Sequence, residues 1–358
     1  MRSKNCLMNL MTLVVFIMYG FLVFTYAADK EKSFNVSKGD RVEIISTYGN
    51  INVTVWSKDQ AYLKAVNVDE NDLKNLTIEQ TGKTIKLEFK GKESDDFYIE
   101  LSIPMYLDVD LSTGGGNIKI DGNISGKIVI ATGGGNIKMD DAGERLSVST
   151  AGGNISVGNV SGSSEIASGG GSISIGNLKS NTSVSTAGGN VSIGNIESSA
   201  EVATAGGNIS VGKISGDAEL STAGGNIILE GATGKVEVST AGGNINLKNI
   251  SGSIEANTAG GNIYAELNPT DKSNSEFNTA SGDITLKIPL EVKVSIVASV
   301  YVNSKLTESE KDNLIRSDFE AVKVDLQKNN LIKKYVLNGG GAVIELNSAS
   351  GKIKINKK

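Results

Sequence analysis

Ser149-Thr150-Ala151-Gly152-Gly153-Asn154-Ile155-Ser156-Val157-Gly158-Asn159-Val160-Ser161-Gly162 is one copy of a phrase that recurs between Gly114 and Tyr264. Its central position falls at Asn117, Asn136, Asn154, Ser172, Asn190, Asn208, Asn226, Asn244 and Asn262. The first interval is 19 residues (136 − 117) and each of the next seven is 18. A fixed period in this range marks a repeat architecture.

Within a repeat the apolar residues alternate. One and three positions after the anchor stand Ile155 and Val157, Val191 and Ile193, Ile209 and Val211, Ile245 and Leu247. Six positions after it stand Val160, Leu178, Ile196, Ile214 and Ile250. Ten after it the residue is small or apolar (Ser164, Ala200, Ala218, Val236, Ile254), and twelve after it Ile166, Val184, Val202, Leu220 and Val238 follow. Alternation over a few residues, carried by Ile and Val, is strand periodicity. Ala-Gly-Gly-Asn and Gly-Asn-Ile-Ser-Gly interrupt the strands and read as corners, where glycine supplies backbone angles that other residues reach at a cost. One such unit cannot bury its own apolar face, but a stack of them can. The sequence therefore predicts an all-β fold, a parallel β-solenoid of 18-residue coils over residues 111–264, about 40 Å long at about 4.8 Å per coil. The repeated Asn has two structural roles open to it: a left-handed corner conformation or a ladder of amide hydrogen bonds. Thr150, Thr186, Thr204, Thr222, Thr240 and Thr258 share the parity of the apolar positions and are expected to face inward near a corner.

The flanks are β-rich but not periodic. Residues 33–110 read as an N-terminal cap with strands over Val42–Ser46, Ile51–Trp56, Ala61–Val68, Leu76–Glu79, Thr84–Phe89 and Phe97–Ile103. Tyr48-Gly49-Asn50-Ile51-Asn52-Val53 is one degenerate copy of the phrase. Residues 265–358 read as irregular C-terminal coils and a cap, because an open solenoid end exposes core and strand edges. There Thr279-Ala280-Ser281-Gly282-Asp283-Ile284 restores the phrase with Asp for Asn. Thr307 with Glu310 is a capping box, so one short helix is expected near Glu308–Ile315. Strands follow over Phe319–Leu326, Tyr335–Leu337 and Ala342–Leu346, and Ser348-Ala349-Ser350-Gly351-Lys352-Ile353 is a last copy. No Phe, Trp or Tyr occurs from Leu107 to Asn262, so the larger cores are expected at the two ends.

These phrases, T-A-G-G-N-I, T-A-S-G-D-I-T-L-K-I-P and S-A-S-G-K-I-K-I, resemble the bacterial DUF4097 family, which is similar to the auto-transporter adhesin "head GIN" domain group. The resemblance runs from about Ser33 to the C-terminus. It implies a β-solenoid in an exported or envelope protein, with adhesion as the name given to relatives and a suggested link to envelope stress. It carries no catalytic motif to transfer.

Residues 1–27 read as a signal peptide: Arg2 and Lys4, an apolar run from Leu10 to Phe24, then Thr25-Tyr26-Ala27-Ala28 with cleavage after Ala27. The alternative is an uncleaved membrane anchor, since the run is long for a signal core. The single cysteine, Cys6, lies before that run, so the mature chain has none. The whole chain carries a net charge of −5; removing Arg2 and Lys4 gives −5 − 2 = −7. That balance argues against nucleic acid as a partner and against adsorption to anionic lipid, and no membrane insertion is expected after cleavage.

Histidine is absent, which excludes Ser/His and Cys/His triads and, without cysteine, the usual zinc sites. A carbohydrate-active enzyme would need paired carboxylates in a cleft, and the repeats offer no irregular insertion that would form one. No cofactor is expected. One column stands out eleven positions after the anchor: Glu165, Ser183, Glu201, Glu219, Glu237 and Glu255. Its parity is opposite to the apolar positions, so it faces solvent. Stacked carboxylates about 4.8 Å apart repel by about 0.9 kcal/mol in water. The column is either a solvated face that prevents sideways aggregation or a stripe for a cation or cationic ligand. The sequence thus predicts an exported, non-enzymatic β-solenoid that serves as an envelope or cell-surface scaffold of adhesin-like character, with an unidentified envelope partner. The alternative is a binding or sensing module for a cationic peptide or ion in envelope stress, and a carbohydrate-active enzyme ranks third.

Overall fold

The computed structural model describes residues 27–92, 96–270, 273–302, 306–327 and 329–358. The expected signal segment, residues 1–27, lies outside the described residues apart from the backbone of Ala27. The described residues form a β-solenoid with two long sheets facing one another.

Each coil of the rod gives one strand to each sheet. The first sheet takes three-residue strands such as Ile155–Val157, Ile173–Ile175 and Val191–Ile193. The second takes strands such as Ser163–Ser168, Thr182–Thr186 and Ala200–Thr204. All pairings between successive coils are parallel, and like stacks on like: Ile173 lies between Ile155 and Val191, and Val184 lies between Ile166 and Val202. A third, narrower ladder consists of single-residue bridges linking Ile124, Ala142, Val160, Leu178, Ile196 and Ile214. From the coil of Asn136 to that of Asn244 the positions one, three, six and twelve after the anchor are all buried, so each of these coils contributes the same few aliphatic side chains to one continuous core. Burial of that kind stabilises by roughly 25 cal/mol per Å² of apolar surface, and only neighbouring coils can provide it.

Two polar spines accompany the core. In the threonine column the hydroxyl donates to a glycine carbonyl of the preceding coil and accepts from a glycine N–H of its own, as in Thr222 Oγ1 to Gly207 O (2.9 Å) and Gly225 N to Thr222 Oγ1 (3.2 Å). These threonines are buried, as expected. In the asparagine column each Oδ1 accepts from the backbone N–H of the next coil. The run goes from Asn50 through Asn117, Asn136 and Asn154 to Ser172, then on through Asn262 and Asp283 to Lys352. The amide ladder is therefore the role that this asparagine plays. The left-handed corner is not: among the described residues, positive φ outside glycine is confined to Asn67, Asn249 and Asn338, none of them an anchor.

The corner glycines also differ from the sequence expectation. Among the described glycines, positive φ is confined to Gly39, Gly49, Gly82, Gly122, Gly339 and Gly340, so the Ala-Gly-Gly-Asn corners of the coils need no left-handed backbone. What they need is room. A Cβ on Gly153 would lie 2.0 Å from the carbonyl oxygen of Gly135 in the coil before, whereas one on Gly152 would meet nothing nearer than 3.9 Å.

Both ends depart from sequence order. The strands Arg41–Ser46 and Asn50–Trp56 form a coil of the same kind, stacked on the coil of Asp108–Thr113 and Ile118–Asp121. The intervening segment folds outward: Thr84–Phe89 and Tyr98–Pro104 stack in parallel on the other side of that first coil. Antiparallel strands then finish this end. Gln60–Asp69 pairs with Tyr98–Pro104, Ala27–Asn35 pairs with Gln60–Asp69, and Leu76–Thr81 pairs with Thr84–Phe89. The C-terminal end repeats the device. Ala342–Ser348 and Ile353–Lys357 slot between the coil of Ser275–Thr279 and Ile284–Ile288 and the outer strands Val294–Tyr301 and Ile315–Ser317. Counting along the first sheet from Tyr98–Pro104 to Ile315–Ser317 gives fourteen coils, or about 60 Å of rod. The second sheet runs from Leu76–Thr81 to Lys323–Gln327, and no pairing joins those two terminal strands, so it is open rather than closed.

Larger side chains do sit at the ends. Tyr48, Phe89 and Phe97 pack together with centroids 4.3–5.5 Å apart, and Phe277 is fully buried. The helix is Glu308–Asp312, with the Thr307–Glu310 capping box formed at its start. It stops short of the expected Ile315 because Ile315–Ser317 pairs with Ile353–Lys357, and sheet pairing there overrides helix extension.

Candidate functional site

The second sheet turns two columns of side chains outward. The first is the glutamate column. Register places Glu165, Ser183, Glu201, Glu219, Glu237 and Glu255 directly above one another, and it continues to Glu276 and Glu345. Six consecutive coils therefore carry a glutamate, from Glu201 to Glu345. Sequence spacing hid the last two, because 21 and then 69 residues separate Glu255, Glu276 and Glu345 (276 − 255 and 345 − 276). A local signal was present all the same: each stands three positions before the buried Thr or Ser of its coil, as Glu255 stands before Thr258.

The second column lies two residues further along each strand and is made of Ser221, Ser239, Asn257, Asn278 and Asn347. These short side chains floor a groove of about 1250 Å³ that ends against Tyr301 and Asn330. Asn347 Nδ2 donates to Asn278 Oδ1 (3.0 Å) and Asn278 Nδ2 to Asn257 Oδ1 (2.9 Å), so the amides are held in one orientation. Asn278 Nδ2 also reaches Glu276 Oε1 (2.9 Å), and Asn257 Nδ2 reaches Glu255 Oε1 (3.4 Å), which ties the two columns together at the C-terminal end.

Midway, Lys235 pairs with Glu237. Its ammonium is held charged above the ordinary lysine value, first by that hydrogen bond and further by the charges of Glu237, Glu255 and Asp217. Glu237 is thereby the one half-buried member of the regular part of the column, while Glu165, Glu201, Glu219 and Glu255 are exposed. The face is acidic, rigid and regular at about 4.8 Å. It suits a ligand that repeats along its length, or several small cations, and it does not converge on one point. Among the described residues, no group of three or more acidic side chains is placed to hold a single metal ion. No helix among them is long and apolar enough to cross a membrane.

A search of curated proteins finds no relative of this chain. Among solved structures it is similar to a Bacteroides fragilis protein described as a "putative adhesin", at 14% identity over 93% of this chain and 99% of that one, with a TM-score of 0.30. A Parabacteroides distasonis protein described as a "putative lipid binding protein" is similar at 18% identity over 72% of this chain and 96% of that one, with a TM-score of 0.32. The sequence model of one family, described as Toastrack DUF4097, matches residues 32–211 and again residues 179–356. With the two-sheet solenoid and its repeated phrase, those matches span nearly all of the described chain, which belongs to the Toastrack DUF4097 family.

Proposed function

We propose that this protein is an exported, non-enzymatic interaction scaffold of adhesin-like character, whose rod holds the outer face of the second sheet toward an envelope or surface partner. The observation that carries the reading is the glutamate column beside a groove floored by short hydroxyl and amide side chains. Such a face offers recognition spread over many coils, with charge to steer a partner and little side-chain entropy to lose on binding. The column also favours a second reading, in which the ligand is a cationic peptide or ion sensed in envelope stress.

One pair of experiments tests both. The mature chain, used as bait in envelope extract, should retain a defined partner, and the Glu219→Gln/Glu237→Gln variant should retain less of it. Equal capture by the two proteins would overturn the assignment of this face. In parallel, both proteins are titrated with calcium and with a cationic peptide while melting is followed. A stabilisation that grows with ligand over its dissociation constant, present in the wild type and lost in the variant, supports the second reading. Identical melting responses remove the column from it.

A further inference from the structure

The two ends of the rod are finished differently. At the N-terminal end the gap between the sheets is closed by lysines. Lys30 and Lys32, on the edge strand of the first sheet, donate to the carbonyls of Leu76 (2.8 Å) and Ile78 (3.3 Å) on the edge strand of the second. Charged side chains set across an edge in this way block further strand addition.

At the C-terminal end one lysine makes the same kind of bridge, since Lys333 on Asn330–Leu337 of the second sheet donates to the carbonyls of Ile315 (3.1 Å) and Asp312 (3.5 Å), but the strand beyond it is left outside that closure. Beyond the coil of Ala342–Ser348 and Ile353–Lys357, the first sheet adds only Ile315–Ser317, while the second adds Val294–Tyr301, Asn330–Leu337 and Lys323–Gln327. The second sheet therefore overhangs. On Asn330–Leu337 the core-facing Leu331, Tyr335 and Leu337 are still covered. On the last strand the residues of the same parity are not: Leu326 lies opposite Leu331 and Val324 opposite Lys333, yet Val322, Val324 and Leu326 are 62%, 58% and 52% exposed. An apolar row of core parity thus borders a free strand edge.

We infer that this edge is an interface for a second copy of the same chain, paired antiparallel about a two-fold axis through Val324. The local sequence is self-complementary in that register. With Val324 opposite the partner's Val324, Val322 meets Leu326 and Lys323 meets Asp325, in both directions. In the single chain, Lys323 and Asp325 already stand on one face with Nζ and Oδ2 3.3 Å apart. Across the axis each exchanges that neighbour for its counterpart, so no charge is left facing its like. Cross-strand pairs of opposite charge and of branched apolar residues are the ones that stabilise antiparallel sheets. The axis makes the contact closed, giving two rods joined end to end through one continuous second sheet and stopping there. The small area marks it as a weak, concentration-dependent dimer.

Sedimentation velocity of the mature chain over a concentration series tests this. A monomer–dimer equilibrium is expected. Lys323→Asp alone and Asp325→Lys alone each place like charges opposite one another and should raise the dimer dissociation constant several-fold, while the double reversal should restore it. Val324→Pro should abolish the dimer. All three positions are exposed or at a rim, and circular dichroism checks that each of the four variants folds. A chain that stays monomeric at every concentration, a double reversal that fails to restore dimers, or open-ended polymers in place of dimers would each overturn the inference.

Discussion

At the scale of the residue, the corner glycines separate into two kinds that look alike in sequence. In Ala151-Gly152-Gly153-Asn154 the second glycine lies against the carbonyl of Gly135 and the first faces open space. The later copies bear this out, since Ser281 and Ser350 stand in the first position while Gly282 and Gly351 keep the second. Gly153→Ala should therefore destabilise by about 1–3 kcal/mol or more, through forced separation of two coils. Gly152→Ala should be neutral or stabilise by up to about 1 kcal/mol, because it restricts the unfolded chain without a clash. Denaturant melts of the two variants check this, and equal losses would refute the close-approach account. The sequence showed that glycine was needed at these corners but not why, because backbone angle and close approach leave the same letter. Residue parity was more legible: alternation alone placed Glu165, Glu201, Glu219, Glu237 and Glu255 on the outside and the threonines within.

At the scale of the element, strands were readable wherever apolar residues alternate. All six strands expected between Val42 and Ile103 exist, with ends shifted by a residue or two. The strand Ala27–Asn35 was not foreseen, because Asp29-Lys30-Glu31-Lys32 has no apolar alternation and its pairing comes from Gln60–Asp69. The strand expected to start at Phe319 starts at Lys323, since the Phe319 ring turns back on the core near Lys357. In the neighbouring strand Asn330–Leu337, burial raises the Tyr335 hydroxyl above its ordinary 10.0, with a hydrogen bond involving Ser317 working against the rise. An acid held protonated by folding contributes stability that is fully present below pH 10.0 and lost as pH climbs through the folded value. Tyr335→Phe should therefore flatten the alkaline fall in melting temperature relative to wild type. Parallel curves above pH 10 would show that this hydroxyl has no part in it.

At the scale of the whole molecule, the period of 18 carried the architecture, and the order of the coils at the ends escaped it. Tyr48-Gly49-Asn50-Ile51 and Ala349-Ser350-Gly351-Lys352-Ile353 read as ordinary copies, and nothing local says that another coil lies beyond each of them. Within the rod, each coil touches only its neighbours, so stability is close to a sum of repeats. Deleting residues 191–208, one full 18-residue period, should leave a folded rod about 4.8 Å shorter with all ladders rejoined, whereas deleting nine residues should not fold. Circular dichroism and small-angle scattering would decide it, and an unfolded 18-residue deletion would contradict modular stacking. The exchanged order at the C-terminal end also sets a schedule. If the chain folds from its N-terminus onward, coils can be laid down in turn as far as Ile288. The next segment, Val294–Ser317, belongs one level further out and must wait. Only when residues 342–357 arrive can they slide into the vacant level and lock it, like a keystone set after the stones on either side. A product that stops before residue 342 keeps that level empty and its edges bare, and the cell's proteases meet it in that state.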